Sequence, residues 1–260
     1  MNFFTVLGLL SIGIGFMGSP QVYVRFIAIS NTVEIEKGKW VAIFYTFLTD
    51  SSAVLIGILA RYMFTKKGYN PELVLGVGGE DVLSLVIGQV MPSIIVGVYI
   101  AAVLSAVMST IDSLLVVASS AVTRDLYQKI IRPDISERSL IKISKRVTFF
   151  LAFLALLVAL AVSVLSPTRT VFWFVIFGWS GIAATFCPVI IMAVFWKGLT
   201  EKGAIASMLM GFVSIPVFKF IVPKIEYIGP YFEKLDVMFP SVIIAIILGW
   251  IVSVYVPDKA

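Results

Sequence analysis

Of 260 residues, 60% are hydrophobic and only 13% are charged, and the mean hydropathy is +1.04. A soluble globular domain, about half apolar and about a quarter charged, does not have this balance, and neither does a disordered or nucleic-acid-binding chain. With no His and one Cys, Cys187 in an apolar run, the sequence offers no zinc site, Cys–His nucleophile, disulfide or histidine proton relay. The class that remains is an all-α polytopic membrane protein embedded in the lipid bilayer.

At about 20 apolar residues per crossing, the runs predict seven transmembrane helices at about 3–28, 39–64, 93–124, 141–166, 170–196, 203–222 and 239–256. Residues 1–18 lack a basic leader and a small-residue cleavage site, so they read as a span and not as a signal peptide. The first span carries Gly13, Gly15, Gly18, Ser19 and Pro20 within eight residues, at what should be mid-membrane depth. Glycine and proline there release backbone groups that only protein or a water-filled cavity can satisfy. Two readings stand side by side: a kink with close helix packing, or a discontinuous helix whose backbone forms part of a substrate or ion site.

The second span holds Asp50 within TFLTDSS, read as a structural hydrogen-bonding acid. An amphipathic stretch, Glu80 to Val90, is expected to lie at the interface before Met91-Pro92 restarts the chain. In the third span Ser105, Ser109, Asp112, Ser113, Ser120 and Thr123 share one broad helical face, opposite Val103, Val107, Leu114 and Val117. Such a polar stripe is expected to face the bundle interior or a cavity. Serine and threonine alone often serve only packing. An acid such as Asp112 near mid-membrane costs about 2.5–3.5 kcal/mol on insertion scales and points to function, with a structural hydrogen bond to a neighbouring helix as the alternative. In the fifth span Pro188 is expected to introduce a kink that can act as a hinge.

Seven basic residues, Arg124, Lys129, Arg132, Arg138, Lys142, Lys145 and Arg146, cluster between spans three and four. Placing that loop in the cytoplasm also puts Arg25, Lys37, Lys39, Lys197, Lys202 and Lys259 inside. Arg61, Lys66, Lys67, Arg169, Lys219, Lys224 and Lys234 are left outside, a ratio of 13 to 7. The N-terminus is therefore expected outside and the C-terminus in the cytoplasm. The net charge of +5 is explained by topology, with no nucleic-acid partner.

The segments GFMGSPQVYVRFIA (15–28), AAVLSAVMSTIDSLLVVASSAVTRDLY (101–127), GWSGIAATFCPVIIMAVFW (178–196) and KGLTEKGAIASMLMG (197–211) resemble, in this order, the sodium/solute symporter family. The sodium/proline and sodium/pantothenate symporters are the members named by the likeness. The resemblance implies a LeuT-like (5+5) transporter fold, of which this chain would be the second inverted repeat plus two C-terminal helices. It also implies a matching N-terminal half, about as long again, as a partner. Sodium would be the coupling ion, with no other cofactor and no transition metal. Carried over residue by residue, the sodium ligands from this half are the Ala106 carbonyl and the Ser109 and Thr110 hydroxyls. Asp112 and Ser113 are the positions to test for a second sodium. The substrate-facing segment comprises Ile12, Gly15, Phe16, Gly18, Ser19, Pro20 and Gln21, and Trp179 and Pro188 fall at gating or hinge positions. Ile12 and Phe16 stand where proline-transporting members place a Trp and a Tyr, a departure that bears on the solute.

The expected function is sodium-coupled symport of a small organic solute, an amino acid such as proline or a carboxylate such as pantothenate, across the cytoplasmic (inner) membrane. Half a sodium site cannot hold sodium selectively, so the chain alone is expected not to transport. A seven-span receptor shares the outside N-terminus but gives the Gly/Pro break no role, and an inactive truncated fragment is the remaining alternative. An enzyme is not expected, because Asp50 and Asp112 lie in no catalytic motif.

Overall fold

In a computed structural model of the chain, residues 3–65, 70–165 and 170–257 are described; Lys66, Lys67, Arg169 and Lys259 of the charge pattern, and the end of the fourth span at 166, lie outside them. The described residues are mostly helical, with no strand among them, and include six helices long and apolar enough to cross a membrane, or seven when the bent pair at the N-terminus is counted as one span. They form two compact units, Met1–Ala28 with Val171–Ala260, and Ile29–Thr170.

In the first unit, α1 (Phe3–Ser11) tightens into a 3₁₀ segment (Ile12–Met17), and α2 (Pro20–Ile27) restarts at a 44° angle. The break falls at the predicted Gly/Pro cluster. Ser19 is in an extended conformation and Pro20 opens α2 at a first-turn position, where its missing N–H has no partner to lose. Beside it stand α8 (Val171–Phe195), α9 (Glu201–Pro216), α10 (Gly229–Leu235) and α11 (Met238–Tyr255).

Helices α8, α9 and α11 pack through small residues. Gly203, Ser207, Gly211 and Ser214 of α9 are buried, as are Ser241, Ala245, Gly249 and Ser253 of α11, the latter four each one turn apart. In a bilayer, where lipid is as apolar as leucine, close backbone approach supplies the association energy that water exclusion supplies elsewhere. A Cβ on Gly249 would lie 2.6 Å from Met192 Cε and 2.8 Å from Ser207 Cβ, so only glycine admits the contact. Proline at 188 removes the amide that would have served the Ala184 carbonyl one turn earlier. Gly211 packs on that carbonyl group, at a distance where a Cβ would sit 2.6 Å from the Ala184 carbon. A Cα–H of α9 thereby covers the released oxygen, and α8 continues as one helix through Pro188.

Caps fix helix starts that apolar runs do not mark. Thr200 Oγ1 accepts from the Gly203 amide at 3.1 Å, and the Thr200 amide donates to Ser253 Oγ at 3.2 Å, tying the start of α9 to α11. At the other end of the unit, α10 is held by a Phe4–Tyr231 edge contact and a half-buried Lys219–Asp236 pair at 3.8 Å.

The second unit contains α3 (Thr32–Phe64), α4 (Glu72–Leu75), α5 (Val82–Val90), α6 (Ser93–Ser120) and α7 (Glu137–Leu165). Asn31 Oδ1 accepts from the Glu34 amide at 3.0 Å, starting α3 seven residues before the apolar run predicted at 39. The short helix α5 occupies the stretch expected at the interface. A turn with positive φ at Gly76, Gly78 and Gly79 joins α4 to α5, a backbone that side chains with a Cβ rarely adopt. Beyond Ser120, α6 continues as a π-helix through Ile131, past the predicted end at 124. Large apolar side chains along α3, α6 and α7 are exposed, including Trp40, Phe47, Ile94, Met108 and Phe149, as expected of surfaces that meet lipid or further protein.

Candidate functional site

The broken span and α8 meet in one site. Trp179 Nε1 donates to the Ile12 carbonyl at 3.1 Å, and its ring lies 4.7 Å, centroid to centroid, from Phe16. One turn along, the Gly15 carbonyl accepts from the Ser19 amide at 3.1 Å and from Cys187 Sγ at 3.5 Å. Side chains of α8 thus bond two backbone carbonyls of the interrupted stretch, the Gly15 oxygen in addition to its Ser19 amide partner, and polar backbone at such a break needs protein around it inside a bilayer.

The glycines permit this approach. A Cβ on Gly15 would lie 2.6 Å from Trp179 Cε2, and one on Gly18 would lie 2.7 Å from Cys187 Cα. Gly15, Gly18 and Ser19 are buried, and Ile12, Pro20 and Gln21 are half-buried. Phe16 stays 57% exposed with Trp179 at its flank. Of the expected substrate-facing set, the two buried glycines therefore face α8, and Phe16 offers the open surface. Ser19 Oγ is fully buried and has no hydrogen-bond partner among the described residues. Pro188 is buried next to Cys187, on the same helix as Trp179.

The α6 stripe lies in the other unit. Thr110 Oγ1 donates to the Ala106 carbonyl at 3.1 Å, and Ser113 Oγ donates to the Thr110 carbonyl at 2.8 Å. Ala106, Ser109, Thr110 and Asp112 are exposed and Ser113 is half-buried. At the far end of the stripe Thr123 is 2% exposed beside α7, while Ser120 is exposed. The expectation that the whole stripe faces a bundle interior is met at Thr123, where α7 packs. Over Ser105, Ser109 and Asp112 no described residue closes the face.

Asp50 is exposed, and the adjacent hydroxyls of Thr49 and Ser52 bond back to their own helix, so its expected structural partner is not found among the described residues. Sequence reasoning missed two features. Cys187 touches the broken backbone at Gly15, for which residue identity carries no signal. A cavity of about 890 Å³, lined by Thr49, Ser52, Arg61, Asn70 and Glu72, lies beside the glycine turn, which the string GVGGE does mark. No group of three or more acidic or Cys side chains able to hold a metal occurs among the described residues.

Multiple apolar spans, one of them broken at glycines and stitched to its neighbour, define a multi-span integral membrane protein of the broken-helix type. The chain belongs to the sodium:solute symporter family, whose description matches residues 2–211. It is 30% identical over 218 residues to the high-affinity proline transporter PutP of Bacillus subtilis, covering 82% of this chain and 44% of that protein. To the sodium/proline symporter of Haemophilus influenzae it is 32% identical over 225 residues, covering 84% and 43%. The osmoregulated proline transporter OpuE of Bacillus subtilis aligns with 98% of this chain at 27% identity, over 49% of its own length. The chain spans about half the length of these curated relatives. No solved structure matches it.

Proposed function

We propose that this chain is the second half of a sodium-coupled symporter that imports a small organic solute, with proline the first to test, across the cytoplasmic membrane. The observation that carries the reading is the broken span bonded to α8 through Trp179 and Cys187, in a chain of this family. A helix interrupted in this way presents an aromatic face, Phe16 beside Trp179, next to backbone that need not carry a regular ladder. That combination suits a small zwitterion with an apolar ring. The Ile12 and Phe16 departure leaves a carboxylate such as pantothenate as the second solute.

Sodium is assigned to the Ala106 carbonyl and the Ser109 and Thr110 hydroxyls. The Ala106 oxygen and Thr110 Oγ1 stand 3.1 Å apart, a separation at which both can touch one cation. Each retains lone pairs while bonded to the other, and neutral oxygens bind a hard cation weakly enough to release it. Asp112 and Ser113, one turn on, are assigned to a second ion. The exposure of this face leaves room for further ligands from a matching first half; the arrangement proposed is a 5+5 inverted repeat, with the N-terminus outside and the C-terminus in the cytoplasm as the distribution of basic residues favours. Sodium binding would favour an outward-open state, and hinging about Trp179 and Pro188 would pass both ligands inward.

The test is uptake in proteoliposomes with an inward sodium gradient. The chain alone transports nothing. With a matching first half supplied, uptake requires sodium, and Ser109→Ala or Thr110→Ala raises the sodium concentration needed for half-maximal rate. Sodium-driven uptake by the chain alone would overturn the half-transporter reading.

A further inference from the structure

Where α6 passes into its π-helical extension, a second cavity of about 260 Å³ opens against α7, lined by Ser119, Ser120, Thr123, Arg124, Ser144 and Thr148. We propose that this cavity holds the phosphodiester headgroup of an anionic phospholipid, and that its occupant pins α6 to α7 at the membrane surface.

The donor set fits that chemistry. Three of the hydroxyls are committed to backbone: Ser119 to Val116, Thr123 to Ser119 and Thr148 to Ser144, at 3.2, 2.7 and 2.9 Å. The hydroxyls of Ser120 and Ser144 donate to no protein group among the described residues, and Arg124 is committed only to an exposed 3.4 Å pair with Glu137. Two free hydroxyls and a guanidinium on the rim match a group rich in acceptors and carrying negative charge. An exposed Arg–Glu pair contributes little, so Arg124 can turn to a phosphate at small cost.

Charge and depth point to a lipid source. Between Ala121 and Thr148 there are seven basic and three acidic residues. Lys129 pairs with Asp125, whereas Arg138, Lys142, Lys145 and Arg146 have no ion-pair partner among the described residues. Arg138, Ile141 and Lys145 run along α7 beside the Ser144–Thr148 edge, spaced as neighbours on one helical face. Arg124 is the first basic residue after the apolar length of α6, which places the cavity at the end of a span, at headgroup depth. Basic pockets between spans at that depth recognise anionic headgroups. Just beyond Thr148, Phe149 is 76% and Phe150 63% exposed, an apolar track for acyl chains continuing from the head. The π geometry begins at Ala121, beside Ser120, and such segments often mark binding sites.

The test titrates the purified, detergent-solubilised chain with dioctanoyl phosphatidylglycerol, with dioctanoyl phosphatidylcholine and with inorganic phosphate. Retained adducts are counted by native mass spectrometry and the thermal unfolding midpoint is followed. One phosphatidylglycerol per chain is expected to raise the midpoint saturably, with phosphatidylcholine at least tenfold weaker and phosphate without effect at equal concentration. The double variant Ser120→Ala/Ser144→Ala removes only the two uncommitted donors, so it should fold normally and bind about tenfold more weakly. Arg124→Gln should do the same, while Glu137→Gln, which frees Arg124, should bind as tightly or more so. Equal effects of the two lipids, or unweakened binding in both the double variant and Arg124→Gln, would overturn the proposal. Saturation by inorganic phosphate alone would reassign the cavity to a free anion and overturn the lipid assignment.

Discussion

The contact between Gly15 and Trp179 can be tested by a double-mutant cycle. A methyl at position 15 would lie 2.6 Å from Cε2 and 2.9 Å from Cζ2 of the indole, well inside van der Waals contact. Overpacking of this kind costs about 1–3 kcal/mol. Trp179→Phe instead removes the Nε1–H that reaches Ile12 at 3.1 Å. Within a membrane such a bond is worth about 0.6–1.7 kcal/mol. The two losses overlap, because an indole displaced by the Gly15→Ala methyl can no longer reach Ile12, and phenylalanine has neither Nε1 nor Cζ2 to collide. The double variant should therefore cost about as much as the worse single one, a coupling of about 1 kcal/mol, or about fivefold in the folding equilibrium. Reversible unfolding in mixed micelles, titrated with dodecyl sulfate and followed by circular dichroism, gives all four corners of the cycle. Gly13→Ala, which meets nothing within 4 Å, is the control and should stay within about 0.5 kcal/mol of the parent. Additive losses, within about 0.3 kcal/mol, would refute the claim that Gly15 is small in order to seat Trp179.

Further outcomes follow from the three-helix packing. Thr200→Ala removes both the cap of α9 and a partner of Ser253, and should cost about 1–2 kcal/mol in the same titration, with faster hydrogen exchange at the Gly203 amide. Gly211→Val separates α9 from the Ala184 carbonyl and should abolish recovery of folded protein, whereas Gly97→Ala, in open space on α6, should be neutral or stabilise by up to about 1 kcal/mol. Equal tolerance at the two glycines, measured as folded yield, would contradict the packing account.

Hydropathy anticipated the long apolar helices of the described residues because the bilayer imposes a minimum apolar length, and the Gly13–Pro20 cluster located the break because few other arrangements tolerate those residues at depth. Helix ends were less legible. The first turns of α3 are polar, and their start is set by the Asn31 side chain, which an apolar run does not register. The π extension past Ser120 was hidden for a similar reason: its residues are compatible with an ordinary helix. In the candidate site the resemblance brought Trp179 forward, but its hydrogen bond to Ile12, 167 residues away in sequence, depends on tertiary packing. Cys187 and the close approach at Gly18 were invisible for the same reason. The steps of four joining Ser241, Ala245, Gly249 and Ser253 did carry a readable small-residue signal.

The proposed sodium role of Ser109 and Thr110 is read from proline uptake against sodium concentration in proteoliposomes holding the chain with a matching first half. Ser109→Ala and Thr110→Ala are each expected to shift half-saturation to higher sodium, with more loss in the pair. Sodium curves that superimpose on the parent for both single variants and the pair would contradict the assignment.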